Sequence, residues 1–291
     1  MSCRSISAAR NRVWRRAAGA ALLCAAAAGH AQTGGPADEV RGNRAADILR
    51  YPYVAALSRT TGSDRVYFCA GALIAPRWIL SAAHCFHNPR GARIGSEGVS
   101  AEVGASWLSE VPREAQVPVA RIIVHPDYDP QSQDNDIALV ELAEEAGPLI
   151  AEVATPREAD APAQATVLGF GSFYEGRLAA NAVSRTGAPT AQLSDHLRQA
   201  AVRLVDPAAC AARLGAGEAA AGAYRICAGA GPEATCVGDS GGPLVVEAAD
   251  RTDRVAGIVS FGSGCAAERP VTVYTRVSAY AGWIAAVIRG R

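Results

Sequence analysis

Ser240 stands in the run Gly238-Asp239-Ser240-Gly241-Gly242-Pro243, one hydroxyl among residues that relax or fix the backbone, with Cys236 just upstream. Glycines at 238, 241 and 242 permit a tight turn with amides left unpaired, and an unpaired pair of amides is what a developing oxyanion needs. A plain polar turn ahead of the strand-like Leu244-Val245-Val246 would use the same residue types. A hydroxyl is a poor nucleophile until a base takes its proton, so the chemical reading also requires a histidine and a group to orient it. Both occur upstream, in Ser81-Ala82-Ala83-His84-Cys85 and in Asp134-Asn135-Asp136-Ile137-Ala138-Leu139. A histidine titrating near neutrality can accept the proton and return it to a leaving group, and a carboxylate can hold its ring in the useful tautomer. His87 and His125 lack such surroundings and read as loop histidines.

These three runs, in the chain order His, Asp, Ser, resemble the chymotrypsin-like (trypsin family) serine endopeptidases; the order separates them from subtilisin-like and α/β-hydrolase enzymes. Residues 238, 240 and 242 also match the Gly-x-Ser-x-Gly elbow of esterases, but there the serine comes first. The resemblance covers about residues 40–291 and implies that Ser240 attacks, His84 is the base and Asp136 holds the imidazole. Asp134 is the competing carboxylate; the Asn-Asp-Ile-Ala-Leu register of the family places the role on Asp136. The amides of Gly238 and Ser240 would form the oxyanion hole.

Ser260-Phe261-Gly262 resembles the family's substrate-pairing edge, with Phe261 where tryptophan is more usual. The position six before the serine, an acid in trypsin-like members, is Ala234, while Glu233 is one position off. By the same resemblance Gly262 leaves the pocket mouth open and Thr272 narrows its wall. An uncharged pocket cannot repay the desolvation of Lys or Arg, so a small or medium apolar residue is expected before the scissile bond. The resemblance also selects the disulfides Cys69–Cys85, Cys210–Cys227 and Cys236–Cys265 among the pairings that six cysteines allow. Val40-Arg41-Gly42-Asn43 partly matches the family's new amino terminus, and the buried partner of its ammonium would be Asp239.

The bounds agree with export. An apolar run over residues 17–28 follows Arg4, Arg10, Arg12, Arg15 and Arg16, and Gly29-His30-Ala31 offers small residues for signal cleavage. Residues 1–31 therefore read as a signal peptide and 32–39 as a short propeptide, so that cleavage before Val40 makes the active form. A membrane anchor needs ~20 apolar residues, and this run is too short. Leu23 argues against a lipid attachment at Cys24, and Arg15-Arg16 leaves the export route open. Cys3 and Cys24 leave with the leader, and an even set remains, as suits an oxidising compartment. No Cys-x-x-Cys occurs and the histidines are scattered, so neither a metal nor another cofactor is expected. Residues 1–39 contain five arginines and two acids, which leaves a formal charge of −3 on the rest and no nucleic-acid footprint. Arginine wholly replaces lysine, which reads as codon composition of the source; a bacterial origin is a separate expectation.

Short apolar runs separated by turn residues mark strands, and no alternation of helix and strand of the parallel-sheet kind occurs. The resemblance implies an all-β fold of two six-stranded antiparallel β-barrels, at residues 40–156 and 157–280, within a second unit that runs to 291 and ends in a helix. Residues 279–288 carry Trp283, Ile284 and Val287 on one apolar stripe, and 208–213 form a shorter helical candidate. His84 and Asp136 would lie on the first barrel and Ser240 on the second. The expectation is a secreted monomeric endopeptidase, extracellular or periplasmic, made as a zymogen, with a polypeptide substrate and an activating protease as partners. The alternative is a non-catalytic binding relative that uses the same cleft.

Overall fold

The computed structural model describes residues 44–88, 91–147, 149–160, 164–171, 194–214, 222–229, 239–263 and 271–290. Residues 1–39, Val40, Ala234, Cys236, Gly238 and Cys265 lie outside the described residues.

The first half supplies β1 (Arg44–Ala45), β2 (Val54–Thr61), β3 (Asp64–Ala75), β4 (Trp78–Ser81), β5 (Val99–Val103), β6 (Val117–Val124) and β7 (Ala138–Leu142). Strands β2-β3-β4-β7-β6-β5 pair in that order and close on themselves. Every residue of β4 is buried, as are all of β7 except half-buried Glu141. Such short, mostly apolar runs suit strands covered on both faces. Opposite Leu57 and Ser58 the extra residue Phe68 bulges β3 and bends it against β2, the usual device for closing a sheet.

The second half supplies β8 (Glu152–Val153), α1 (Pro156–Asp160), β9 (Gln164–Gly169), β10 (Arg198–Val205), α2 (Pro207–Leu214), β11 (Arg225–Gly229), β12 (Pro243–Glu247), β13 (Asp253–Gly262), β14 (Val271–Arg276) and α3 (Ala281–Ile288). Here β10-β11-β14-β13-β12-β9 pair in order, and the β9–β10 pairing closes the second six-stranded antiparallel barrel. The short strands β1 and β8 attach to this barrel from outside, on β10 and β13.

Helix α2 fulfils the expectation of a helix beside Cys210. Asp206 caps it by accepting from the amides of Ala208 at 2.9 Å and Ala209 at 3.3 Å, and Pro207 suits the first helical position. Cys210 points inward and is bonded to Cys227 of β11. Helix α3 buries Ile284, and its Trp283 lies 5.0 Å from the His125 ring at the end of β6. The last helix thus caps the first barrel although it follows the second in sequence. Among the described residues no helix is long and apolar enough to cross a membrane.

Candidate active site

His84 sits in a single 3-10 turn, Ala83–Phe86, directly after β4. The disulfide Cys69–Cys85 ties that turn to β3 through the residue next to His84. Asp136 lies just before β7 on the β6–β7 connection, in a stretch where Gln133 and Asn135 adopt left-handed φ of 54° and 55°. Its side chain is fully buried. One carboxylate oxygen accepts from the His84 amide at 2.8 Å, and the other lies 2.7 Å from His84 Nδ1. This two-point grip sets both the position and the tautomer of the ring, while Nε2 faces Cys85 Sγ at 3.9 Å.

Burial opposes charge on both groups, yet each favours the charged form of the other. The His84 imidazole would be pushed down by burial, but the Asp136 charge and hydrogen bond outweigh that and hold it above the ordinary histidine value. Burial likewise raises the Asp136 carboxyl; the His84 charge, then hydrogen bonds from His84 and Ser260, hold it below the ordinary value. Ser260 Oγ donates to Asp136 Oδ2. Thr275 Oγ1 donates to the Asp136 carbonyl at 2.7 Å, and Tyr280 OH donates to Asn135 Oδ1 at 3.0 Å. The loop that carries the carboxylate springs from the first barrel but is held by the second.

Ser240 lies on the second barrel, in the turn before β12. Its carbonyl accepts from the amide of Ala70 on β3 at 2.8 Å, which pins the serine turn to the first barrel beside Cys69. Gly241 has φ +77°, a conformation that disfavours any side chain. The expectation of free amides through this turn needs correction. Gly241 N donates to Val259 O at 3.0 Å and Gly242 N to Asp239 O at 2.8 Å, because the turn closes on itself and on β13. The donors assigned to an oxyanion are those of Ser240 and Gly238, and the latter lies outside the described residues.

His84 and Ser240 line one cavity of about 430 Å³, shared with the Cys69–Cys85 disulfide, Phe68, Arg59 and Ile94. A larger cavity of about 530 Å³ is lined by Arg50, Glu247, Asp253 and Arg254 and contains neither residue. Cys69, His84 and Cys85 lie close enough for metal ligands, but both sulfurs are joined in the disulfide and offer no thiolate.

Asp239 is buried, and its Oδ1 accepts from Gly171 N at 3.0 Å. Of the residues expected along the substrate, Ser260 and Thr272 are buried, while Phe261 is half-buried. Gly262 pairs with Thr272 in the β13–β14 register. Ala234, Val40 and the Cys236–Cys265 pair fall outside the described residues; Cys69–Cys85 and Cys210–Cys227 are both formed.

The sequence pointed to Ser260 as part of a substrate edge and missed its bond to Asp136. Thr275, Tyr280 and Ala70 were not singled out at all, since each acts through one contact between the barrels that no local run encodes.

The trypsin profile matches residues 40–284. Coagulation factor XII of Sus scrofa is 35% identical over 251 residues, which is 80% of this chain and 37% of that protein. Tissue-type plasminogen activator of Pongo abelii is 32% identical, covering 86% of this chain and 44% of its own length. Trypsin of Phaedon cochleariae is 31% identical over 84% of this chain and 87% of its own. The chain spans less than half of the factor XII and plasminogen activator proteins but most of the insect trypsin. With the double barrel, the carboxylate grip on His84 and the serine turn described above, these likenesses show that the chain belongs to the trypsin family of serine proteases.

Proposed function

We propose that this protein is a secreted serine endopeptidase. The observation that carries the reading is the grip of Asp136 on His84 through both carboxylate oxygens, with His84 and Ser240 lining one cavity. Ser240 Oγ attacks a peptide carbonyl while His84 takes its proton. The imidazolium so formed is stabilised by Asp136 and returns the proton to the leaving amine, leaving an acyl ester on Ser240. Water, activated by the same histidine, then hydrolyses that ester. The amides of Gly238 and Ser240 bind the oxyanion, and Ser260, Phe261 and Gly262 pair with the extended substrate.

Ala234 and Thr272 give the primary pocket no carboxylate, and a small or medium apolar residue is therefore taken before the scissile bond. The chain is exported by residues 1–31 and held inactive by 32–39. Cleavage before Val40 frees an ammonium that joins the Gly171 amide on the buried Asp239 carboxylate and orders the adjacent oxyanion donors.

The experiment is turnover of a mixed peptide library by the wild type and by Ser240→Ala, with amino-terminal sequencing of the active form. Cleavage after apolar residues, lost in the variant, with Val40 as the first residue, supports the reading. Strong cleavage after Arg or Lys would overturn the pocket assignment, and undiminished activity of Ser240→Ala would overturn the mechanism.

A further inference from the structure

The carboxylate rejected above as a catalytic group, Asp134, has another partner. Arg225, at the start of β11 in the second barrel, reaches across to the β6–β7 connection of the first. Its Nη2 donates to Ser132 O at 2.8 Å and to Asp134 Oδ1 at 2.7 Å. The guanidinium carbon also lies 5.3 Å from the centre of the Phe261 ring, within the range of a cation–π contact. The arginine side chain is only 9% exposed, whereas Asp134 is 59% exposed. A buried guanidinium is costly without hydrogen-bonded partners, so the loop and the ring are what make this position tenable.

The clamp grips a strained segment. Gln133 and Asn135 flank Asp134 with φ of 54° and 55°; at Gln133 this left-handed conformation is uncommon and persists where its surroundings impose it. Asp136 is the next residue, and its oxygens set the His84 ring. On its other side Arg225 backs Phe261, the neighbour of Ser260, which itself bonds Asp136. One side chain thus touches both the loop that holds the catalytic carboxylate and the wall along which substrate would lie.

We infer that Arg225 is a positioning residue, clamping the Asp136 loop across the barrel interface through Ser132 and Asp134 while fixing Phe261 on the substrate edge. Its effect on rate rests on the endopeptidase reading; its effect on the His84–Asp136 geometry does not. Polypeptide pressed against Phe261 and the tautomer of His84 are linked through it.

The test compares Arg225→Met, which keeps length and packing but loses the polar clamp, with Arg225→Lys, which keeps the charge. Because Asp134 is largely exposed, Asp134→Ala opens the same clamp without emptying the core, and it serves if Arg225→Met does not fold. Two readouts are needed on the full chain. The first is kcat and KM per titrated active site, on a short ester and on an extended peptide. The second is the far-downfield proton resonance of His84 Nδ1–H, which needs no turnover.

Arg225→Met and Asp134→Ala should each lower kcat roughly tenfold or more, the range in which small misplacements act. Arg225→Met should also raise KM for the extended peptide alone. The resonance should broaden in both, Arg225→Lys should restore most of it, and the double variant should be no worse than the more severe single one. Wild-type kcat with an unshifted resonance in both single variants would overturn the clamp. A resonance that responds as expected in a protein that cleaves nothing would uphold the clamp and refute the endopeptidase reading.

Discussion

The Asp239 carboxylate fills the space that a side chain at Gly171 would need: a β-carbon built there would lie 2.4 Å from the carboxylate carbon and from Oδ1. Gly169 faces the same carboxylate, again at 2.4 Å from Oδ1. Two alternate residues at the end of β9 and just beyond are therefore glycine for one reason, the room they leave for a buried charge beside the serine.

Gly171→Ala should displace that carboxylate and the Ser240 turn with it. Overpacking of this kind costs about 1–3 kcal/mol, so the protein should stay folded while peptide turnover per molecule falls at least tenfold. Turnover against a circular dichroism melt checks this. Full activity at unchanged stability would show that the turn tolerates a shifted Asp239.

The acid limb of the rate profile should report His84. Only the neutral imidazole can accept a proton, so kcat/KM rises with pH through the histidine pKa, and the raised value puts that limb above 6.5. Asp136→Asn removes the charge that raises it and leaves the burial that lowers it. The limb should then move to lower pH while the plateau drops by roughly 10⁴-fold, as the wrong tautomer does in comparable sites. A limb that stays in place would separate Asp136 from the titrating group.

Glu102 on β5 gives a pH effect on stability instead. Its side chain is fully buried, accepts from Ser58 Oγ at 3.0 Å and faces Arg65 NH1 at 3.4 Å. Burial pushes its carboxyl up from 4.5 to about 7 despite these partners. The folded state binds this proton more tightly than the unfolded state, so stability falls as pH rises from 4.5 through about 7. The loss is on the order of 3 kcal/mol. Urea midpoints should therefore drop between pH 5 and pH 8 in the wild type, and Glu102→Gln should flatten that part of the curve.

Replacing Cys210 and Cys227 together by serine opens a loop with a sequence separation of 17. It should cost about 3 kcal/mol of stability with a smaller loss of turnover than at Cys69 and Cys85, since this pair packs beside Phe261 on the substrate edge and not in the turn that carries His84. The same change at Cys69 and Cys85 frees the turn that carries His84 and should reduce turnover as well. Denaturant titration and steady-state rates on both double variants distinguish them.

Much of the site was legible because its residues come in dense local runs. Ser81 to Cys85 and Asp134 to Leu139 each place a side chain by what surrounds it within a few positions, as does the described part of the serine run, Asp239 to Pro243. Helix α2 was legible too, as the short helical candidate 208–213 around Cys210. Helix α1 was not anticipated, although Thr155 and Glu158 form a reciprocal cap, with the Thr155 amide 2.7 Å from Glu158 Oε2, and Thr-x-x-Glu is its signal. The contacts of Arg225, Thr275 and Tyr280 could not be read from any window, because they join residues 91, 139 and 145 positions apart. They depend on how the barrels meet, which periodicity within one strand does not encode.

The exchange of chain ends between the barrels also bears on how the protein can be taken apart. Strand β1, from the start of the described chain, pairs with β10 of the second barrel, and Trp283 of α3 packs on His125 of the first. A cut between the barrels would leave each fragment lacking a piece that the other carries. Neither half is a module that could be grafted alone onto another protease, but the two should find each other in solution and regain activity by complementation, each supplying the missing edge of its partner.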